Sequence, residues 1–176
     1  MMADMADDVA LRLVAEADLP ILERLTQDPG ATGEFAWLGW YKLTRFRRWW
    51  AENRLIGDDI GVLMVVRDGE RLGFVTWHKV SSTPGGYYWN IGIALLPGAR
   101  GRGYGTQAQR MLAQYLFKHT TVQRIEAATE VDNWAEQRAL EKAGFTREGV
   151  HRCTGWRDGA YRDGVWYGMV RTDLPL

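Results

Sequence analysis

The fold of this 176-residue chain is decided by the stretch Ile91-Gly-Ile-Ala-Leu-Leu-Pro-Gly-Ala-Arg100-Gly-Arg-Gly-Tyr-Gly-Thr106. Its apolar first half is typical of a buried strand, and a helical pattern follows its three alternating glycines. Such glycines let the backbone approach a ligand closely, and the helix start offers free N–H groups and the positive end of a dipole. The stretch therefore predicts a pyrophosphate site, although an ordinary glycine-rich turn can have the same local sequence.

Two familiar nucleotide-binding motifs fit this loop poorly. A P-loop requires Lys and then Ser or Thr directly after its last glycine, whereas Gly105 is followed by Thr106 and Gln107. A dinucleotide-binding fingerprint fits better, because Glu126 lies at about the 20-residue offset of a ribose-binding acid. However, the loop begins near residue 100 of 176, which leaves too little chain for the other strands of a dinucleotide domain.

A third interpretation, a coenzyme A site, rests on two spaced motifs. Arg100-Gly-Arg-Gly103-Tyr-Gly105 matches the Gln/Arg-x-x-Gly-x-Gly/Ala signature of the GNAT acyltransferase superfamily. The second motif, Asn133-Trp-Ala-Glu-Gln-Arg-Ala-Leu-Glu141-Lys-Ala-Gly144-Phe145, resembles the Asn-x-Ala-Ser-x-x-x-Leu-Glu-Lys-x-Gly-Phe segment of its RimJ/RimL-like branch. The tail from Trp156 to Tyr167 resembles the closing strands of that branch, so the resemblance spans roughly residue 9 to the end.

The resemblance implies a mixed α/β GNAT fold, and the patterning along the chain agrees with it. We expect a seven-stranded, mostly antiparallel sheet with about four helices, in which strands four and five are parallel. Asp18 is predicted to cap the first helix, Asp28-Pro-Gly30 to end it, and Asp68-Gly69 to turn a hairpin. The predicted strands are 9–14, 61–67, 71–80, 87–96, 124–131, 145–154 and 164–171, and the later helices are 43–55, 104–118 and 134–143.

Composition indicates one soluble, cytoplasmic domain over residues 8–176, with residues 1–7 as a flexible N-terminus. The chain is 46% hydrophobic and 25% charged, which is typical of a globular core-forming sequence. Its 22 basic and 22 acidic residues balance, so neither nucleic acid nor a membrane surface is an expected partner. Cys153, the only cysteine, is expected to be a small buried hydrophobe on a late strand, and no metal site is predicted.

By resemblance, the chain binds acetyl-CoA. Main-chain groups of Ile93, Ala94 and Leu95 are expected to hold the pantetheine arm and the thioester carbonyl. The loop would hold the pyrophosphate through its amides, to which Arg100 or Arg102 could add charge-assisted bonds unless their side chains are merely solvated. Asn133 would contact the coenzyme arm while capping its helix. The loop residues concerned are Arg100, Gly101, Arg102, Gly103, Tyr104, Gly105 and Thr106.

The positions at which related proteins place catalytic groups are substituted here. A Ser three residues after the asparagine, or a Tyr seven after it, is replaced by Glu136 and Leu140, so Glu136 is the candidate acid if burial keeps it protonated. The glutamate that precedes the Ile-Gly of strand four is replaced by Asn90, which cannot accept a proton. Glu34 and Glu130 are therefore the remaining candidate catalytic carboxylates.

The chain is rich in aromatic residues that could surround an acceptor. Trp37 and Trp40 fall in the loop expected to shape the acceptor pocket, and an aromatic wall suits an apolar or cationic acceptor. His78, Tyr88 and Asn90 are the other candidate substrate-binding residues, and Trp77, Trp89, Trp156 and Trp166 lie on strands that could contribute.

We therefore expect an N-acetyltransferase in which a primary amine attacks acetyl-CoA directly. The acceptor is a protein N-terminus or a small molecule, and the sequence leaves the oligomeric state open, a homodimer included. A non-catalytic acyl-CoA-binding or regulatory module is the alternative, because the usual Ser, Tyr and Glu are absent.

Overall fold

The computed structural model of the protein describes residues 9–40 and 45–174, so the predicted flexible N-terminus lies outside the described residues. The strands are β1 (Ala10–Leu13), β2 (Ile60–Arg67), β3 (Glu70–Thr83), β4 (Gly86–Leu95), β5 (Arg124–Glu130), β6 (Thr146–Arg157) and β7 (Ala160–Val170). The helices are α1 (Leu19–Gln27), α2 (Pro29–Thr32), α3 (Arg45–Asn53), α4 (Tyr104–His119) and α5 (Trp134–Ala143). Short 3-10 turns cover Glu16–Asp18, Pro97–Ala99 and Arg171–Asp173.

The seven strands form one sheet in the order β1-β2-β3-β4-β5-β7-β6. As predicted, β4 and β5 are parallel, and the other neighbouring pairs are antiparallel. The chain crosses from β4 to β5 through α4. Parallel strands need such a crossover, because a tight hairpin reverses the chain direction and can join only antiparallel strands. This topology puts the β4–β5 seam in the middle of the sheet.

The two faces of the sheet carry separate apolar cores. On one face, α4 and α5 cover the central strands, and residues such as Leu112, Leu116 and Leu140 are almost fully buried. On the other face, α1 and α3 pack over β2 and β3 through residues such as Leu22 and Met64. On this second side of the sheet, neither α1 nor α3 covers β5, β7 and β6. This surface of the three strands, here called the open face, carries the polar groups described below.

The helix at Arg45–Asn53 has the amphipathic arrangement that its sequence predicts. Phe46, Trp49 and Trp50 pack against the second core, while Arg47 pairs with Glu23 at 2.7 Å on the outer side. This arrangement identifies the aromatic residues as core and the arginine as a surface group. The predicted first residues of this helix, 43 and 44, lie outside the described residues.

The first helix departs from the prediction at its start. Asp18 adopts helical dihedrals but makes no side-chain cap. Its carboxylate instead accepts from the Ala15 N–H and pairs with Arg12 and Arg71. At the other end, α1 stops at Gln27 as predicted, and the Asp28 side chain accepts from the Gly30 N–H, so Asp28 also caps the start of the short helix α2.

The final hairpin is longer than predicted, and its extension changes the environment of Cys153. β6 continues to Arg157 and turns at Asp158-Gly159, where both residues have positive φ. The register shifts between His151 and Gly155, and in this bulge Cys153 is exposed with φ 55°. The expectation of a buried Cys153 was therefore wrong, because a bulge has no fixed inside or outside pattern.

Asp18 provides a test of the fold through stability. Its fully buried carboxylate holds two arginines at 2.6 and 2.7 Å, and the Arg12 guanidinium lowers the pKa of that carboxyl below its usual value. We expect Asp18→Asn to lower the free energy of unfolding by about 2–3 kcal/mol at pH 7. Urea denaturation measures this loss, with the exposed Asp58→Asn as the control variant.

The pH dependence of the Asp18→Asn effect has a definite sign. Because the folded-state pKa of Asp18 is lowered, its contribution is present above the unfolded-state pKa and is lost as the pH falls through the folded-state value. The difference between wild type and variant should therefore narrow in strong acid. A difference that is independent of pH would contradict the ionic role of Asp18.

Candidate active site

The central feature of the site is a gap between β4 and β5. These strands pair only at Trp89↔Ile125 and Asn90↔Glu126. Beyond that point, residues 91–95 of β4 pair with β3 alone, and residues 127–130 of β5 pair with β7 alone, within the part of the chain that the structure describes. The main-chain groups of Ile93 to Leu95 therefore border an opening in the sheet that a narrow ligand arm could occupy.

The glycine loop lies at the end of β4, where this gap opens. Gly101 and Gly103 have φ of 72° and 83°, and a Cβ atom at either position would meet open space. Gly103 is the N-cap of α4, and no described side chain caps that helix. The first amides of α4 are thus available to an anion, which fits the predicted pyrophosphate cradle. A Cβ atom at Gly105 would instead meet the side chains of Leu95 and Ile93 at ordinary contact distance.

Arg100 and Arg102 take different positions around the loop. Arg100 is exposed, and its guanidinium donates to the main-chain carbonyls of Leu95, Ala31 and Thr32. It connects β4 to the end of α2, and burial lowers its pKa. A phosphate contact was predicted for Arg100, but its donors are directed to these carbonyls. Arg102 is exposed, with its guanidinium 5.1 Å from the ring centroid of the buried Tyr104.

Asn133 performs the capping role expected of it. Its Oδ1 accepts from the Glu136 N–H at 3.3 Å, and its Nδ2 donates to Thr129 Oγ1 at 2.9 Å. These two bonds attach the start of α5 to the end of β5. The N-termini of α4 and α5 therefore both lie next to the gap.

Glu136 has the most perturbed carboxyl group near the gap. Burial raises its pKa to about 7, and an interaction with the Gln109 side chain opposes part of that rise. Gln109 is itself 1% exposed. A carboxyl whose pKa lies near neutral pH beside a buried amide is typical of a functional site.

The other two candidate catalytic carboxylates are in less favourable settings. Glu130 forms a bidentate ion pair with Arg157 at 2.6 and 2.8 Å, and Arg157 is itself 7% exposed. A carboxylate held in this way positions the end of β6, and both of its oxygens are engaged by the guanidinium. Glu34 is exposed in a turn beside Phe35, whose ring contacts the Arg157 guanidinium.

Sequence reasoning missed a polar cluster on the open face of the sheet. Glu126 is 8% exposed and lies directly across the parallel pair from Asn90. Its carboxylate accepts from Asn90 Nδ2 at 3.3 Å, from Trp166 Nε1 at 3.1 Å and from the Arg124 guanidinium at 3.2 Å. Asn90 occupies the position on β4 where the resemblance leads one to expect a glutamate, and the carboxylate of Glu126 lies beside it on the neighbouring strand β5. Only its strand position, opposite Asn90, could have indicated this from sequence.

The remaining candidate substrate residues lie either on β3 and β4 or in the segment between α2 and α3. Tyr88 lies on the open face, where its ring is 5.7 Å from the Arg124 guanidinium, and His78 pairs with Asn90 in register and is exposed. Trp37 and Trp40 contact each other edge-on at 5.5 Å, and Trp40 is 79% exposed.

Two of the tryptophans considered for the acceptor pocket lie on the opposite side of the sheet. Trp77 is buried near Tyr115 of α4, and Trp89 donates to Thr120 just after α4. Because both face α4, they belong to the core and do not line the acceptor side.

None of the helices that the structure describes combines the length and the apolar character needed to cross a membrane. Among residues 9–40 and 45–174, no group of three His, Cys, Asp or Glu side chains is placed to hold a metal ion.

Comparison with known proteins gives concordant results. Residues 8–146 match the acetyltransferase (GNAT) domain family. The SPbeta prophage-derived uncharacterized N-acetyltransferase YokL of Bacillus subtilis (strain 168) is 26% identical over 172 residues, covering 97% of this chain and 94% of that protein. The chain is thus similar to N-acetyltransferases over nearly its full length.

Solved structures of similar fold include proteins bound to coenzyme A. The spermidine N-acetyltransferase of Vibrio cholerae, in complex with CoA and spermine, superposes with a TM-score of 0.77 at 15% identity, over 94% of this chain and 96% of that chain. The RimJ protein of Mycobacterium smegmatis, in complex with CoA-disulfide, has a TM-score of 0.76 at 22% identity, over 97% of this chain and 86% of that one. At these identities the likeness establishes the fold.

The loop geometry predicts the effect of filling its open space. Gly103→Val adds a branched side chain where φ is 83° and where a bound diphosphate needs room, so we expect affinity for acetyl-CoA to fall by at least about 100-fold. Calorimetric titration measures the affinity, and Gly85→Val in the β3–β4 turn is the control. Thermal unfolding of both variants separates lost binding from lost folding. Unchanged affinity in a folded Gly103→Val protein would contradict the assignment.

Glu136 predicts an unusual effect of pH on stability. The folded-state pKa of Glu136 is raised from 4.5 to about 7. The free energy of unfolding of the wild type is therefore highest below pH 4.5, where Glu136 is protonated in both states, and it falls as the pH rises through 7 and the buried carboxyl ionises. We expect Glu136→Gln to be more stable than wild type by about 2–3 kcal/mol at pH 8 and equal to it at pH 4. Denaturation at both pH values tests this, with the exposed Glu70→Gln as control. A wild type that is the more stable protein at pH 8 would contradict the burial of Glu136.

Proposed function

The chain belongs to the GNAT acetyltransferase family and is an acyl-CoA-dependent N-acyltransferase, and we propose that it moves an acetyl group from acetyl-CoA to a primary amine. The observation that carries the proposal is the gap between β4 and β5 with the uncapped helix α4 at its end. A flexible arm with a diphosphate at one end fits a slot that ends in free amides. The family relationship supports coenzyme A as that ligand.

The residues of the gap would bind the donor and direct its acyl group. The amides of Gly101 to Thr106 would hold the diphosphate, and main-chain groups of Ile93 to Leu95 would hold the arm and the acyl carbonyl. When bound, acetyl-CoA supplies an acetyl group activated as a thioester. Asn133 contributes by fixing the start of α5 against β5, which keeps Glu136 in place.

We assign the proton donor for the leaving sulfur to Glu136. A carboxyl with a pKa of about 7 is largely protonated at slightly acidic pH and can give up its proton without a large barrier. The amine nitrogen forms the new C–N bond as the C–S bond breaks. The proton lost from nitrogen goes to solvent, because the carboxylates of Glu126 and Glu130 are already engaged by protein donors.

The general test is a calorimetric titration with acetyl-CoA, with NADH as the control ligand, followed by thiol release in the presence of amines. We expect micromolar binding of acetyl-CoA alone, and thiol release that depends on an amine. Binding without turnover of any amine would favour a non-catalytic acyl-CoA-binding module. Binding of NADH alone, or of neither ligand, would contradict the proposed function.

The role of Glu136 predicts a specific loss of activity. Gln has a similar shape but no acidic proton to transfer to the sulfur, so Glu136→Gln should lower kcat by about 100-fold while the KM for acetyl-CoA changes little. For wild type, we expect kcat to fall as the pH rises above about 7, because Glu136 then loses its proton. Near-normal turnover with an unchanged pH profile would leave Glu136 as a helix-terminal residue without a role in catalysis.

A further inference from the structure

A cleft of about 200 Å³ lies on the open face of the sheet, beside the gap between β4 and β5. Its walls come from the ends of β5, β6 and β7. The β5 wall, Ala128 to Glu130, belongs to the half of that strand that does not pair with β4. The cleft therefore lies next to the position where we place the acyl group, on the face opposite α4 and α5.

The floor of the cleft is formed by Trp166. Its indole lies along β7 towards Gly164, where a Cβ atom would come 2.4 Å from the ring, so only glycine allows this orientation. Its Nε1 donates to Glu126, and its ring stacks on His151 with centroids 4.0 Å apart. The floor is thus fixed from three sides and is apolar where a ligand would touch it.

Most charged groups of the cleft are already paired within the protein. Glu130 is held by Arg157 through two hydrogen bonds. Asp163 accepts from the Cys153 N–H at 2.9 Å through one of its oxygens. These groups have partners and do not require a ligand.

Arg162 is the exception. Its side chain lines the cleft, and its Nε is buried without a hydrogen-bond partner. No hydrogen bond to a described residue satisfies this Nε, and a buried donor without an acceptor costs free energy unless a ligand supplies one. A guanidinium presents its donors in a planar fork that matches a carboxylate.

We propose that the cleft binds an acceptor that carries a carboxylate, so that the substrate is a small molecule of the amino-acid type. This inference rests on the proposed acetyl transfer and adds the chemical class of its acceptor. The carboxylate pairs with Arg162, the side chain lies over Trp166, and the amine points along Ala128 and Thr129 towards the gap.

The charge balance of the cleft favours a carboxylate over a phosphate. Glu130 and Asp163 add negative charge to the same walls, so a doubly charged phosphate would meet more repulsion than a singly charged carboxylate. The volume also favours a small molecule, because about 200 Å³ is roughly seven times the liquid volume of one water molecule.

The test compares amines that differ only in the carboxylate. Thiol release from acetyl-CoA is measured with L-phenylalanine against 2-phenylethylamine, and with L-methionine against 3-(methylthio)propylamine, and spermidine is included as a polycationic amine. We expect kcat/KM to be at least about 10-fold higher for each amino acid than for its decarboxylated partner. For Arg162→Gln, we expect this ratio to fall close to one, because kcat/KM falls more for the amino acids than for the decarboxylated amines.

The test has a matched control variant, and certain results would contradict the proposed acceptor class. Arg147→Gln removes an exposed arginine from β6 on the face that carries Tyr167, outside the cleft, and should leave the ratio unchanged. Higher kcat/KM for the decarboxylated amines or spermidine, or an equal loss for both members of a pair in Arg162→Gln, would overturn the acceptor class and leave the acetyl transfer intact. Absence of turnover with every amine would instead contradict the proposed function.

Discussion

The structure depends on one constraint, which is that two neighbouring parallel strands are paired at only two positions. Trp89↔Ile125 and Asn90↔Glu126 hold β4 and β5 together, and β3 and β7 then hold the two strands on either side of the gap. Main-chain groups in the middle of a sheet normally pair with a neighbour, so an opening there has a cost that a ligand can offset. The helices α4 and α5 both start beside this opening, because parallel strands need a crossover and α5 follows β5 directly.

Some of the charged groups around the gap are hydrogen-bonded within the protein, and others are not. The two kinds of group have different roles in the site. Glu126, Glu130 and Asp163 each accept hydrogen bonds from the protein, so they position Trp166 and the final hairpin. Glu136 has no cationic partner among the described residues to oppose its desolvation, and its raised pKa follows from that difference. The Arg162 Nε, which lacks a hydrogen-bond partner among the described residues, belongs to the wall of the cleft on the open face, beside the gap.

Much of the architecture could be predicted from the sequence because its signals are local. The glycine loop, the amphipathic pattern of α4 and the asparagine that caps α5 each act within a few residues. The departures involve long-range partners instead. Asp18 binds Arg71, more than fifty residues away, and this ion pair prevailed over the capping role that its position suggested. The bulge at Cys153 depends on Asp163 of the neighbouring strand in the same way.

In the candidate site, too, the features that the sequence did not predict depend on partners far away in the chain. Arg100 fits the signature of a phosphate-binding loop, yet carbonyls of a segment almost seventy residues earlier in the chain take its donors. Trp77 and Trp166 look equivalent in sequence, but strand alternation puts the first in the α4 core and the second on the open face. The register of the neighbouring strands determines which residues lie beside Glu126 and Arg162, and no local sequence pattern encodes that register.

The most direct measurement is a crystal structure of the protein with coenzyme A. The account predicts that the pantetheine arm lies between Ile93–Leu95 and the unpaired half of β5, with the diphosphate on the amides of Gly101–Thr106 and the sulfur near Glu136. A structure in which β4 and β5 close the gap by further pairing, or in which the coenzyme lies on the open face over Trp166, would contradict it.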